Sequence, residues 1–185
     1  MTQGFQLDLK SGALNLENYS ESTGWLGYFE SKKLSSRRED AALAIGELLG
    51  DLGEVDIWTS CYTIGGDAGL EENHGVARDD INAVVAPLRE IGFIKTCDNY
   101  REEGPLRKFV GLSDEVANKT CLAMMDVDGI KGHLFLYKRL SGLLAYPHED
   151  IGFGFIAGGI DSRNEGLRIL SGFLSRKRWG GRCAP

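Results

Sequence analysis

Three histidines, four prolines and four cysteines are spread over 185 residues, and the first and last of these scarcities weigh against a zinc site. None of Cys61, Cys97, Cys121 and Cys183 falls in a Cys-x-x-Cys pair, so zinc ribbons and zinc fingers are excluded on spacing. No apolar run approaches the ~20 residues that span a bilayer. The stretch MTQGFQLDLK offers no basic segment followed by an apolar one, the mark of a secretory signal. The expectation is a cytoplasmic protein with reduced thiols, no membrane association, no metal and no cofactor.

Catalytic signatures are missing too. There is no Gly-x-Ser-x-Gly elbow. The glycines at 152, 154, 158 and 159 miss the Gly-x-Gly-x-x-Gly spacing, and no Walker lysine follows them. Asp126-Val127-Asp128-Gly129 brings its glycine too early for a calcium loop and has Tyr137 where the twelfth position requires glutamate. The chain therefore reads as a non-enzyme.

What is present is ordinary globular material, 42% hydrophobic and 26% charged, enough for one core with an appended subdomain. The formal net charge is −6, which argues against a whole-surface polyanion binder. The charge is unevenly distributed. Residues 161–185 hold six basic residues against two acidic ones, leaving an acidic body and a basic end. Such an end has three destinations: nucleic acid, an acidic partner, or its own body.

Three segments are expected. Residues 1–36 read as a hairpin, from the alternation of Phe5, Leu7, Leu9, Leu14 and Leu16, followed by an irregular arm anchored by Trp25, Tyr28 and Phe29. In residues 37–125 a helix opens on a Ser36–Glu39 capping box and carries Ala41, Ala44, Ile45, Leu48 and Leu52 at helical spacing. A second helix spans 78–91, with Val84, Val85 and Leu88 on one stripe and a bend expected at Pro87. Strands at 93–97 and 106–111 flank a polar turn, and Ser113 caps a third helix. In residues 126–185, HLFLY, LLAY and IGFGFIA read as strands, closed by a helix over 163–177 and a basic tail.

The order helix, strand, polar turn, strand, helix over 37–125 resembles the winged helix-turn-helix superfamily. Leu88, Gly92, Phe93 and Ile94 match the step from recognition helix into wing. Arg101, Glu102 and Glu103 match a charged wing tip, and Phe109, Val110, Leu112 and Ser113 match the returning strand and the next capped helix. The departures are the glycine-rich stretch 60–72 and Pro87. The resemblance implies an α+β fold: a winged-helix core, with the N-terminal hairpin and arm and a small β-rich C-terminal extension around it. The wing would be an antiparallel pair of 93–97 with 106–111. It also implies DNA binding, as in a transcriptional or plasmid/phage regulatory factor.

On that reading Arg78 and Asn82 face base edges, since arginine pairs with guanine and asparagine with adenine. Lys95, Arg101, Arg107 and Lys108 in the wing, and Arg176, Lys177 and Arg178 in the tail, face phosphates. The implied partner is double-stranded DNA, with homodimer formation compatible with it. Asp79, Asp80, Asp98, Glu102 and Glu103 interleave with these cations and repel phosphate. They support the alternative, an acidic protein–protein interaction module or inhibitor that binds a basic partner without DNA.

Overall fold

Ala41, Ala44, Ile45, Leu48 and Leu52 are all buried on one side of helix α1, Arg37–Leu52, as their spacing predicts. The structure is a computed structural model that describes residues 14–33, 37–64, 71–72, 78–97, 105–148 and 150–185; at 37, 38, 71, 72, 78–80 and 82 only the backbone is described. Helix α2, Arg78–Glu90, carries Pro87 in its interior and buries Ile81, Val85 and Leu88. It ends in a Schellman turn. Gly92, at φ +72°, donates to the Arg89 carbonyl and Phe93 donates to that of Leu88. Helix α3, Asp114–Asp126, starts where Ser113 Oγ accepts from the Val116 amide. Helix α4 runs Ile160–Leu174. Helices and mainly antiparallel strands together make an α+β fold.

The strands are β1 (Trp25–Ser31), β2 (Asp56–Thr59), β3 (Tyr62–Ile64), β4 (Glu71–Glu72), β5 (Lys95–Cys97), β6 (Arg107–Phe109), β7 (Val127–Asp128), β8 (Ile130–Lys131), β9 (Leu134–Lys138), β10 (Leu143–His148), β11 (Gly152–Ala157) and β12 (Trp179–Cys183). Seven of them form one antiparallel sheet in the order β12-β1-β11-β10-β9-β2-β6. β5, β3 and β8 form a second sheet, and β4 pairs with β7. The large sheet draws strands from all three expected segments, 1–36, 37–125 and 126–185.

Alternation along these strands builds two cores. Phe29, Leu143, Ala145, Phe153 and Phe155 point to the face that α4 and α3 cover. Phe29 stacks on Phe173 of α4, with ring centroids 3.9 Å apart. Phe135, Tyr137, Leu144, Tyr146 and Ile156 point to the opposite face, where Leu14, Tyr19 and Trp25 pack on them.

Four expectations meet the structure differently. The hairpin expected in 1–20 lies largely outside the described residues. Leu14 and Leu16 belong to irregular chain before a 3-10 turn at Tyr19–Glu21. The aromatic arm is strand β1, hydrogen-bonded on both sides. The antiparallel wing does not form between its described halves. β5 runs parallel to β3, and β6 pairs antiparallel with β2. The long connection at 98–105 lacks the two-residue turn chemistry that locks a hairpin, so it lets the two strands join different sheets. The tail, finally, is strand β12, with Gly181 opposite Phe29. β1 and β12 approach so closely that a Cβ on Gly181 would lie 2.1 Å from the Tyr28 carbonyl oxygen, and one on Gly27 2.0 Å from that of Arg182. Two glycines thus mark a tight strand pair where a basic tail was expected.

Candidate binding surfaces

The basic C-terminal residues lie along α1. Arg168 reaches Asp51 at 3.3 Å, Arg176 pairs with Glu47, and Arg178 Nε stands 3.4 Å from Asp40 Oδ1. Asp40, Glu47 and Asp51 are spaced by seven and four, which places them on one helical face. Of the three destinations open to the basic end, these side chains take their own body. Trp179 is buried against Phe29 and Phe173, so it offers no ring to a base. Lys177 is exposed.

The wing cations differ in their surroundings. Arg107 is half-buried and donates to the carbonyls of Gly92, Phe93 (2.8 Å) and Cys61 (3.2 Å), while its guanidinium lies 5.9 Å from the Phe109 ring centre. Burial lowers its pKa from the ordinary arginine value, and the group stays charged. It acts as a clamp on the carboxyl end of α2. Lys108 Nζ lies 3.0 Å from Asp56 Oδ2 and over the Trp58 ring. Arg139 shares the same carboxylate oxygen at 3.0 Å, and Asp56 is fully buried. Lys95 is exposed on β5. The backbones of Arg78 and Asn82 lie in the first turns of α2, and Arg101 falls outside the described residues. Of the nine nominated residues, Arg107, Lys108, Arg176 and Arg178 engage the protein's own groups, Lys95 and Lys177 are exposed, and the side chains of Arg78, Asn82 and Arg101 lie outside the described residues.

Asp40, Glu47, Asp51, Asp56 and Arg139 were not legible as partners in the sequence. The one available signal is the diagonal in the sheet. Trp58 faces Lys108 across β2 and β6, so Asp56, two residues away on the same face, comes within a lysine's reach.

On the second sheet face Tyr19 Oη and His133 Nδ1 are hydrogen-bonded at 2.5 Å, and Trp25 Nε1 donates to Tyr146 Oη at 3.0 Å. Burial pushes the Tyr146 hydroxyl pKa up, and the bond from Trp25 opposes it. His148 bonds the Phe29 carbonyl. Among the described residues no three His, Cys, Asp or Glu side chains gather as a metal set. Cys61, Cys97 and Cys121 are buried thiols and Cys183 is an exposed one. Burial raises the Cys121 pKa strongly, which keeps it protonated and unreactive. No described helix is long and apolar enough to cross a membrane.

A cavity of about 150 Å³ opens between β2 and the start of α3. Val55, Ile57, Leu112 and Ala117 form its apolar wall, and Glu54, Asp114 and Arg139 stand at its polar side. Set against known proteins, the chain matches no family model, no curated protein and no solved structure.

Proposed function

We propose that this chain is an acidic protein–protein interaction module that binds a basic partner protein and does not depend on DNA. The observation that carries this reading is the engagement of Arg107, Lys108, Arg176 and Arg178 with the protein's own carbonyls and carboxylates. A phosphate backbone would have to compete with those partners before any counterion release could drive binding. With the basic end neutralised on α1, the net charge of −6 gives a field that steers cations toward the surface and repels polyanions.

The test is a pair of anisotropy titrations at low ionic strength. One uses a labelled random-sequence DNA duplex. The other uses a labelled lysine-rich polypeptide, with a glutamate-rich polypeptide of the same length as control. Saturable one-to-one binding of the basic polypeptide, weakening with salt, together with no duplex binding, is expected. Saturable duplex binding with no response to the basic polypeptide overturns the proposal. It returns the function to DNA recognition through Arg78 and Asn82, with Lys95, Arg101 and Lys177 on phosphates.

A further inference from the structure

Three of the most exposed large apolar side chains among the described residues are Leu140, Ile160 and Val110, at 95%, 70% and 58%. Scattered exposed aliphatics are ordinary. These three are not scattered. Asp56 faces Tyr137, Ile57 faces Phe109, and Leu143 faces both Lys138 and Ala157. Past these pairs, at the same end of the sheet, the chain reaches Val110 directly after Phe109, the turn at Arg139 and Leu140 directly after Lys138, and, beyond Gly158 and Gly159, the start of α4 at Ile160. Hydrogen bonds from Gly142 to the Lys138 carbonyl and from Gly158 to the Gly142 carbonyl tie the turn to the end of β11. The cavity opens at this same end, since Val55, Gly111 and Arg139 line it.

The charges around this end are unequal in their satisfaction. Arg139 and Lys108 both close on Asp56. Glu165 closes on Lys138 at 2.6 Å and Ser141 at 2.5 Å. Glu115 closes on Lys119. Asp161 and Arg163, both exposed beside Ile160, are opposite in sign. Glu54 and Asp114 are exposed at the cavity and have no ion pair among the described residues. The α3 dipole favours the Asp114 carboxylate in its first turn, which leaves Glu54 with the larger demand for a cation.

Resting on the interaction-module reading above, we propose that this end of the sheet is the docking surface. Its occupant is a basic segment of a partner protein. One apolar side chain of that segment enters the cavity, its apolar neighbours lie on Leu140, Ile160 and Val110, and a lysine or arginine beside the anchor meets Glu54 and Asp114. A space of ~150 Å³ is the size that holds one benzene ring. A single anchor in a pocket, ringed by contacts that exclude water, is the usual layout of a binding hot spot.

The test is an amide-resolved NMR titration of the full chain, carried to millimolar peptide, with Lys-Leu-Lys-Phe-Lys-Leu-Lys, Lys-Leu-Lys-Ser-Lys-Leu-Lys and Glu-Leu-Glu-Phe-Glu-Leu-Glu. Shifts from the first peptide are expected at residues 54–57, 110–117, 139–142 and 158–162. Replacing its phenylalanine with serine should weaken binding roughly thirtyfold, the loss of one hot-spot anchor. Glu54→Lys should weaken it roughly three- to tenfold. Leu140→Ser with Ile160→Ser should weaken it severalfold without changing the circular dichroism, since neither side chain supports the core. Shifts confined to α1 or α2 would overturn this surface and leave the basic-partner reading standing. Equal binding of the glutamate peptide overturns the charge argument. Absence of saturation by every peptide overturns the docking site, while the polypeptide titration alone decides the broader reading.

Discussion

Arg178 Nε lies 3.4 Å from Asp40 Oδ1, and the Asp40 side chain is only 1% exposed. Ser31 donates its hydroxyl to the other Asp40 oxygen at 2.5 Å. One carboxylate in the first turn of α1 thus ties together the end of β1 and the segment before β12. A residue nominated for a phosphate instead joins three elements of the fold.

Removing that arginine takes a cation away from a buried carboxylate, which is where an ion pair matters most. The guanidinium is half exposed, so the cost is discounted for solvent. Arg178→Ala is expected to lower the unfolding free energy by about 1–2 kcal/mol, whereas Lys177→Ala should change it by less than ~0.5 kcal/mol. Urea denaturation of the two variants checks this. Equal effects would mean that contacts of Asp40 other than Arg178 carry its stability.

The legible parts of this fold are those whose signal is local. α1 and α2 follow from apolar residues on one stripe, and the turn after α2 from Gly92. β9, β10 and β11 follow from short apolar runs between turns. β12 was not legible because Gly180 and Gly181 have no side chains to show an alternation, and the reason for them lies in β1, some 150 residues earlier. The exchange of wing partners was equally hidden, because a three-residue strand carries too little pattern to name its neighbour. The candidate surface suffers most. Glu54, Val110, Leu140 and Ile160 come from four separate stretches, and only sheet register brings them to one end.

Backbone crowding makes a second prediction. A Cβ added to Gly152 would stand 1.8 Å from the Phe29 carbonyl oxygen, a backbone atom that cannot rotate away. Gly46, exposed in the middle of α1, has nothing within 4 Å of the same position. Gly152→Ala is expected to cost about 3 kcal/mol or more, because β1 and β11 must separate. Gly46→Ala should gain ~0.5–1 kcal/mol by reducing the freedom of the unfolded chain. Thermal melts of the pair are the measurement, and a tolerated Gly152→Ala contradicts the β1–β11 register.

The third prediction concerns pH. Burial, with a smaller contribution from Asp150, raises the Glu30 pKa. Its ionised form is therefore disfavoured in the folded state. The resulting destabilisation is fully present above the raised folded pKa and disappears as pH falls below the ordinary carboxylate value. Glu30→Gln should thus be the more stable protein at neutral pH, by no more than ~0.5 kcal/mol given its exposure, with the gap closing in acid. Glu165 is the opposite case. Burial raises its pKa, but the bonds from Lys138 and Ser141 outweigh that, aided by the Lys138 and Arg168 charges, and the net shift is downward. Its contribution is present above the ordinary carboxylate value and is lost as pH falls through the depressed one. Glu165→Gln should therefore be the less stable protein at neutral pH and converge with the parent in acid. Melting temperatures across pH 3–7 on the two variants test both signs, which must be opposite.

The last prediction separates a clamp from a phosphate contact. Arg107 donates to three carbonyls, those of Gly92, Phe93 and Cys61, from a planar guanidinium. The first two belong to the turn that ends α2, and the third leads into β3, so one side chain joins both sheets to the helix. Hydrogen bonds from a charged donor are worth ~1.5–3 kcal/mol each when the acceptor is left unsatisfied, and here the acceptors are partly reached by water. Arg107→Ala is expected to cost about 2–3 kcal/mol. Arg107→Lys should recover little of it, because a single ammonium cannot span three acceptors that a fork reaches together. The same loss should appear in hydrogen exchange as faster opening of the amides of Phe93, Ile94 and Lys95, whose acceptors are Leu88 and Cys61. If Arg107 served a polyanion instead, lysine would replace it with little change, and neither the unfolding free energy nor the exchange at 93–95 would move.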